Sequence, residues 1–219
     1  PARKRVESMD KFIKDSAHEL NTPITVLMTS VSMLKNGKNP EKMMKYILSS
    51  SKQISQIYND IHFSAFNEIN EDVYEEFDLK DLVAESVDYF NDISITKNIQ
   101  INPNLFSCFI KMDKTKTQKL VNNLISNAIK YSYKDSIIEV ILKDNILYVR
   151  DFGRGISKDE EKNIFKRYKR GNNNEGGFGI GLDIVKRICN EYNLLLDLKS
   201  KVGEETIFSI DFTSIVNKK

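Results

Sequence analysis

Two long stretches near the start of the chain carry apolar side chains at alternating spacings of three and four residues. In the first stretch the repeating positions are Ile13, Ala17, Leu20, Ile24, Leu27, Val31 and Leu34. In the second they are Met43, Ile47, Ser50, Ile54, Ile57 and Ile61. This spacing is the seam of a packed helix. Asn36-Gly37 suits the end of one helix and Asn39-Pro40-Glu41 the start of another, so the sequence predicts an antiparallel helical hairpin.

The seams of this hairpin are narrow, and one chain alone leaves their outer edges in water. Two chains that pair into a four-helix bundle would cover those edges. We therefore predict a homodimer formed through residues 1–66. Residues 67–73 are polar and acidic and are expected to be a linker to a second domain, residues 74–219.

The second domain alternates short β-branched and aromatic runs with helical patterns. Strands are predicted at 74–77, 99–101, 107–111, 137–142, 146–151, 194–198 and 206–212, and helices at 79–91, 114–131, 158–166 and 181–192. The strands joined by Lys143-Asp144-Asn145 are expected to form a hairpin, which makes the sheet mixed. The pattern predicts an α/β sandwich of two layers.

Composition narrows the classes of function. The chain has 33 Lys and Arg and 31 Asp and Glu, which leave a net charge of +2. This charge does not indicate binding to nucleic acid or to a membrane surface. Cys108 and Cys189 lie far apart without metal-ligand spacing and are expected to be reduced core thiols. No run reaches the 18 or so apolar residues of a membrane span, so we expect a soluble chain. Arg3-Lys4-Arg5 would suit the cytoplasmic flank of an absent membrane helix, although a solvated basic end is the commoner case.

His18 lies one position off the first seam, which turns it about 100° around the helix toward solvent. Glu19 is adjacent, and Thr22 is one turn further on the same face, so a carboxylate and a hydroxyl can both act at the imidazole. Pro23 lacks an N–H and is expected to loosen the helix just beyond the histidine. A lone histidine on a helix is more often a solvated surface residue, and that is our interpretation of His62.

Three stretches of the second domain carry polar chemistry that a core does not need. On one side of a predicted helix lie Asn123, Asn127, Lys130 and Tyr131. A carboxylate at a strand end opens the run Asp151-Phe152-Gly153-Arg154-Gly155, and glycines precede a helix in Gly176-Gly177-Phe178-Gly179-Ile180-Gly181-Leu182. Amide oxygens can bind Mg²⁺, lysine can bind phosphate, and free N–H groups at a helix start favour an anion. Each stretch alone is weak evidence for a ligand site, but the three together indicate a nucleotide site.

These residues resemble the cytoplasmic core of a bacterial two-component sensor histidine kinase, and the resemblance covers nearly the whole chain. Its phosphorylated box is similar to Ser16-Ala17-His18-Glu19-Leu20-Asn21-Thr22-Pro23. Its nucleotide boxes are similar to 123–131, Asp151–Gly155, Ile164-Phe165-Lys166-Arg167-Tyr168 and Gly177–Leu182. The resemblance implies a dimerising phosphotransfer domain followed by an ATPase domain of the type shared with gyrase, Hsp90 and MutL.

The resemblance also implies roles for individual residues. His18 would accept phosphate with help from Glu19 and Thr22, Asp151 would bind the adenine amino group, and Asn127, with Asn123 near it, would bind Mg²⁺. The remaining ATP-binding residues would be Lys130, Tyr131, Gly153, Gly155, Ile156, Phe165, Arg167, Arg170, Gly177, Gly179, Gly181 and Leu182. The implied partners are a second copy and the receiver domain of a response regulator, toward which a phosphatase activity is also implied. The chain would be the cytoplasmic portion of an inner-membrane receptor.

Two other functions share parts of this pattern. A non-kinase ATPase of the same superfamily would have the second domain but no use for an exposed histidine beside Glu19. A catalytically dead scaffold would share the fold but should have lost nucleotide residues. Two departures from the family are visible. The segment Arg170-Gly171-Asn172-Asn173-Asn174-Glu175 is short and rich in asparagine, and Gly203-Glu204-Glu205-Thr206 stands where Gly-x-Gly-Thr is common. If the second glycine of this motif has a positive φ, a glutamate in its place would destabilise the fold by about 1 kcal/mol or more.

Overall fold

The computed structural model describes residues 2–66, 73–165 and 181–216, with the side chains of residues 2–16, 18, 19, 60–66 and 96 left outside that description. The first two elements are the long helices α1 (Ala2–Lys35) and α2 (Pro40–Phe66), which pack against each other. The predicted helical hairpin is therefore confirmed. Among the described helices, none combines the length and hydropathy of a membrane-spanning segment.

The turn between the two helices follows the predicted chemistry. Gly37 has a φ of 70°, and the Lys38 N–H donates to the Met33 carbonyl over 3.0 Å. This pattern is the glycine-terminated end of a helix. The side chain of Asn39 accepts from the Lys42 N–H over 3.2 Å and so caps the start of α2.

The buried positions of the hairpin differ in part from the predicted seams. Met43 and Ser50 of α2 are buried as expected, but among the described side chains of α1 the buried ones are Pro23 and Ser30, and Ile24 is exposed. Four other seam positions of α1 are half-buried, namely Leu20, Leu27, Val31 and Leu34. One chain offers α1 only one long partner helix, so most of its apolar stripe keeps some contact with solvent.

The second part of the chain contains the predicted mixture of helices and strands. Its elements are β1 (Tyr74–Asp78), α3 (Leu79–Ser94), a 3₁₀ helix (Ile95–Lys97), β2 (Gln100–Leu105), β3 (Phe109–Asp113), α4 (Lys114–Tyr131), β4 (Ile137–Lys143), β5 (Ile146–Asp151), α5 (Lys158–Glu161), α6 (Gly181–Glu191), β6 (Leu195–Lys201), β7 (Glu205–Asp211) and a second 3₁₀ helix (Thr213–Ile215).

Five of the strands form one sheet in the order β2-β4-β5-β7-β6, and β1 pairs with β3 separately. β2 runs parallel to β4, whereas all other pairs are antiparallel. The turn between β4 and β5 places Asp144 and Asn145 at φ values of 54° and 63°, which suits a tight hairpin. The mixed sheet is therefore confirmed.

Helices α3, α4 and α6 cover one face of this sheet. Their apolar sides share one buried cluster with the inward residues of the strands, including Phe90, Leu124, Val149, Ile184 and Phe212. The two-layer sandwich predicted from the sequence is confirmed. Cys108 and Cys189 lie in this cluster as free thiols, and burial raises the pKa of Cys108 to about 11 and that of Cys189 to about 12.

Several predicted elements have different lengths in the structure, and β2 and α5 are two of them. β2 extends to Leu105 rather than residue 101, because its ladder with β4 runs past Pro103, which an edge strand tolerates. The helix predicted at 158–166 ends at Glu161 and continues as turns to Phe165, the last described residue before the gap. Pairing with distant strands and the packing of a short helix are tertiary effects that local pattern does not report.

The departure at Glu205 carries no strain. The φ of Glu205 is not positive. Glu205 is the first residue of β7 and pairs with Lys201 of β6. Its carboxylate binds the Arg150 guanidinium over 2.6 Å, and Glu139 binds the same guanidinium over 3.1 Å. The cost that a left-handed Glu205 would carry does not arise.

Helix α2 also contacts the end of α3. The Lys52 ammonium binds the Asp92 carboxylate over 2.6 Å, and the Tyr89 hydroxyl donates to the Lys52 carbonyl over 3.0 Å. One turn earlier, the Ser49 hydroxyl donates to the Ile93 carbonyl over 3.4 Å. The hairpin is thus held against the α/β sandwich by polar contacts.

Candidate functional site

Helix α4 carries the first group of predicted site residues. Asn123 is only 3% exposed, and its amide nitrogen donates to the Lys119 carbonyl over 2.8 Å. Asn127 follows one turn later, and its amide nitrogen is buried without a partner within the described ranges. Lys130 and Tyr131 end the helix half-buried, with the ammonium 5.4 Å from the ring centre.

The start of α6 approaches α4 closely. A Cβ on Gly181 would lie 2.5 Å from the side-chain oxygen of Asn123, so any larger residue would displace the Asn123 amide. The first N–H groups of a helix lack partners within it and attract anions. The side-chain oxygen of Asn123 lies beside the first described residue of α6, with Leu182 half-buried at the next position.

Asp151 ends β5 in the middle of the sheet, between Ile138 of β4 and Thr206 of β7. Its side chain is 4% exposed, and one carboxylate oxygen has no hydrogen-bond partner among the described residues. Burial raises the pKa of Asp151 to about 7, although a hydrogen bond from the Gly153 backbone opposes the shift. A buried carboxylate with one oxygen unpaired among the described residues is suited to accept a hydrogen bond from a ligand.

Gly153 brings the segment after β5 against the end of α4. It forms an isolated bridge with Ser132, and a Cβ there would lie 2.1 Å from the Tyr131 carbonyl oxygen. The Arg154 N–H donates to the same carbonyl over 3.3 Å. Because only glycine permits this approach, Asp151 and the last turn of α4 are held in one unit.

The next two predicted residues anchor this segment to β6. A Cβ on Gly155 would lie 2.3 Å from the Lys201 carbonyl oxygen. The Ile156 N–H donates to the Ser200 hydroxyl over 2.9 Å. The segment is thus fixed on both sides, by α4 and by the edge strand.

Four buried polar atoms without a partner in the described part of the chain mark the same region. They are Asn127 Nδ2, Ser132 Oγ, Asp151 Oδ1 and Arg154 Nε. Buried polar groups are almost always paired in native proteins, so these four atoms require polar partners from outside the described residues, such as a ligand or ordered water. Ser132 and Arg154 were not predicted as site residues, because their burial depends on the approach of Gly153 to α4. Arg154 also lies over the Tyr131 ring, 5.0 Å from its centre.

Several predicted residues lie at the margin of the described ranges. The Phe165 ring is half-buried and packs edge-on against Phe208, with ring centres 6.4 Å apart. Four residues to which the resemblance gives a role in ATP binding, Arg167, Arg170, Gly177 and Gly179, lie outside the described residues.

His18 and Glu19 stand on α1, and their side chains also lie outside the description. Thr22 is exposed, and the helix continues without a break through the buried Pro23. The structure thus brings together α4, the segment after β5 and the start of α6, whereas the histidine lies on the separate hairpin.

The donor set fits a magnesium ion bound together with phosphate. No cluster of three or more His, Cys, Asp or Glu side chains able to hold a metal occurs in the described part of the chain. Mg²⁺ needs few protein ligands when phosphates and water supply the others. The side-chain oxygen of Asn123, which lies against Gly181, and that of Asn127, whose amide nitrogen has no partner among the described residues, are hard ligands of the required kind.

A separate cleft of about 470 Å³ lies between the end of α3 and the edge of the sheet. It contains none of the predicted site residues. Two of its polar side chains satisfy each other, since the Asn98 amide donates to the Asp135 carboxylate over 2.8 Å. This cleft therefore lacks the unpaired buried atoms that mark the site at Asp151.

Comparison with known families gives two matches. The model described as "Histidine kinase-, DNA gyrase B-, and HSP90-like ATPase" matches residues 112–214. The model described as "His Kinase A (phospho-acceptor) domain" matches residues 8–68. The two matches fall on the α/β sandwich and on the helical hairpin, respectively.

Similar curated proteins cover almost the whole chain. The sensor histidine kinase YkoH of Bacillus subtilis is 29% identical in an alignment of 226 positions that covers 96% of this chain and 49% of the relative. The sensor histidine kinase RppB of Synechocystis is 27% identical in an alignment of 228 positions that covers 96% of this chain and 50% of the relative. The chain spans about half the length of these relatives.

Solved structures have the same fold. The Acinetobacter baumannii histidine kinase AdeS matches with a TM-score of 0.56 and 25% identity, over 90% of this chain and 98% of that structure. The mycobacterial sensor histidine kinase MprB matches with a TM-score of 0.57 and 22% identity, over 63% of this chain and 95% of that structure. The fold class predicted from the sequence is confirmed by these likenesses.

Proposed function

Because the chain belongs to the two-component sensor histidine kinases, we propose that it transfers the γ-phosphoryl group of ATP to His18. The phosphoryl group then passes to an aspartate on the receiver domain of a response regulator. We assign the phosphotransfer step to residues 1–66 and ATP binding to residues 74–219, joined by the linker 67–73. The relatives are sensor proteins about half covered by this chain, so we infer that the chain is the cytoplasmic portion of such a receptor.

The nucleotide is bound through the unpaired groups around Asp151. The free carboxylate oxygen of Asp151 accepts a hydrogen bond from the adenine amino group, and the Tyr131 ring lies near the base. Lys130 binds a phosphate, and the first N–H groups of α6, from Gly181 onward, face the phosphate chain. We assign contact with the transferred phosphate to Arg167 or Arg170. Asn127, with Asn123 beside it, holds Mg²⁺, which neutralises charge on the phosphates when bound.

The transfer itself needs alignment more than covalent chemistry. The lone pair of one imidazole nitrogen of neutral His18 forms a bond to the γ-phosphorus, the bond from that phosphorus to the bridging oxygen breaks, and ADP leaves. Glu19 orients or accepts the proton on the other ring nitrogen. The same Glu19 and Thr22, which is exposed on the same face, lie where a docked receiver domain would meet the phosphohistidine. A phosphatase activity toward the receiver would use this surface as well.

The pH dependence of nucleotide binding follows from the raised pKa of Asp151. With a pKa of about 7, the carboxyl is mostly protonated at pH 6 and mostly ionised at pH 8. The ionised form is the better acceptor for the adenine amino group, so we expect the affinity for adenosine to fall about tenfold from pH 8 to pH 6. Calorimetry with adenosine measures this without interference from a titrating phosphate. An affinity that stays constant over this range would contradict the role of Asp151.

We also propose that the chain dimerises through the hairpin. Two i,i+4 pairs of large apolar side chains are exposed on it, Ile24 with Met28 on α1 and Met44 with Leu48 on α2. Burying each such side chain contributes roughly 1.5 to 3 kcal/mol, and a second copy would bury both sets.

Aspartate substitutions at the exposed apolar side chains test the proposed dimer surface. Met28 is 66% exposed and Leu48 48%, so Met28→Asp with Leu48→Asp leaves the single hairpin intact. We expect monomers by light scattering that still bind ATP, because the nucleotide site is built from other elements. Thr29→Asp, on an exposed position turned about 100° from Met28, should remain dimeric. A double variant that stays dimeric would show that the surface has been misplaced.

One observation carries the proposed kinase: the four unpaired polar atoms around Asp151 in a chain that also holds a phospho-acceptor hairpin. The test is incubation of the chain with Mg-ATP labelled at the γ-phosphate. A kinase yields labelled protein whose label is lost in acid and kept in alkali, as a phosphorus–nitrogen bond requires. A non-kinase ATPase would release labelled phosphate without labelling the protein, and a dead scaffold would do neither.

A further inference from the structure

Lys97, the last residue of the short 3₁₀ helix after α3, binds the C-terminal end of α4. Its ammonium donates to the Ile129 carbonyl over 3.1 Å, to the Ser132 carbonyl over 3.3 Å, and to the Lys130 carbonyl. An ammonium has three N–H donors. Three carbonyl oxygens at the end of one helix can therefore engage all of them.

The backbone of Lys97 is tied to the same region. Its carbonyl accepts from the Asp135 N–H over 3.0 Å, so both ends of the residue hold the connection between α4 and β4. The last carbonyls of a helix have no partners within it and carry partial negative charge. A half-buried cation placed on them stabilises this end of α4 in one position.

The other side of the same turn faces the nucleotide site. The Tyr131 carbonyl, which lies between the carbonyls bound by Lys97, accepts from the Arg154 N–H and sits against Gly153. Ser132 forms the bridge to Gly153. This turn thus contacts the segment that follows Asp151 on one side and is bound by Lys97 on the other.

We infer that Lys97 is a positioning residue of the nucleotide site. It touches neither ATP nor Mg²⁺, but it fixes Lys130 and Tyr131 relative to the Asp151 carboxylate by holding the last turn of α4 against Gly153 and Arg154. This inference rests on the proposed ATP site. It adds a residue from outside the stretches that resemble the kinase nucleotide boxes.

Lys97→Met removes the three donors and keeps much of the side-chain length. We expect ATP affinity to fall about tenfold in the full chain, because the binding groups on α4 and β5 lose their fixed spacing. Lys97→Arg, which keeps a cation and several donors, should recover most of the affinity. Lys134→Met removes the same charge from an exposed position in the following turn and should bind ATP like the unaltered chain.

Hydrogen exchange at the Arg154 amide separates positioning from general stability and requires no nucleotide. This amide binds the Tyr131 carbonyl, so it should exchange faster in Lys97→Met and normally in Lys97→Arg and Lys134→Met. Unchanged exchange at Arg154, or equal ATP affinity in Lys97→Met and Lys134→Met, would overturn the inference. An unaltered chain that binds no ATP would instead refute the proposed function, while the exchange result would still decide whether Lys97 positions the turn.

Discussion

Replacing Asp151 by asparagine is expected to abolish ATP binding and at the same time to stabilise the folded chain. Asparagine keeps the size of the side chain but removes the charge and places an N–H₂ group where the adenine amino group must donate. Loss of a charged acceptor in a buried site weakens binding by on the order of a hundredfold or more.

The stability change has the opposite sign because the carboxylate is costly when no ligand is bound. The pKa of Asp151 is raised from 3.8 to about 7 in the folded chain, so the folded state holds its proton over a pH range in which the unfolded state has lost it. The stability of the wild-type chain therefore falls as pH rises from about 4 to about 7, by on the order of 2 to 4 kcal/mol from this group. The amide that replaces the carboxyl in Asp151→Asn does not titrate in this range, so the variant avoids this loss.

Thermal unfolding of both chains at several pH values measures the effect. The Asp151→Asn chain should melt at a higher temperature than the wild type at pH 8, and the two curves should converge near pH 4. Unchanged ATP affinity would show that Asp151 does not bind the base. A loss of stability at pH 8 would show that its carboxylate is satisfied by groups other than a nucleotide.

Replacing His18 by glutamine is expected to remove all phosphate incorporation while ATP binding stays intact. Glutamine preserves polarity and helix propensity but offers no nucleophilic ring nitrogen. The chain contains two histidines, which supplies a matched control. His62→Gln changes the other histidine on the same hairpin and should be labelled like the wild type.

The outcome separates the acceptor from the nucleotide site. Labelled ATP measures incorporation, and calorimetry measures binding in the same preparations. Label that survives in His18→Gln would mean that another residue accepts the phosphoryl group. A His18→Gln chain that neither binds ATP nor incorporates label would mean that the substitution disturbed the fold.

Much of the fold could be predicted from the sequence because local signals coincide with tertiary contacts. The bounds of α4 were predicted and found at 114 and 131, since Asp113 caps its start and its apolar face packs in the core. The turn at Gly37 and the cap at Asn39 depend only on neighbouring residues. The length of β2 and the 3₁₀ helix at Ile95–Lys97 were missed, because each depends on contacts with distant parts of the chain.

The residues of the candidate site also divide into those that the sequence indicated and those that it did not. Asn123, Asn127 and Asp151 stood out as polar residues at helix and strand positions where packing does not require them. Their roles as ligands of ATP and Mg²⁺ stay predictions. Arg154 and Lys97 carried no pattern, since their importance arises only when Gly153 meets the end of α4. A polar group whose role depends on the close approach of two backbone segments produces no periodic pattern in the sequence.

Direct location of the phosphate tests the central claim of transfer to His18. The chain is incubated with Mg-ATP, digested and kept at alkaline pH, and the peptides are sequenced by mass spectrometry. The predicted result is one phosphoryl group on the peptide that contains His18, localised to the imidazole and absent when Asp151→Asn protein is used. Phosphate on any other residue, or none on a chain that binds ATP, would contradict it.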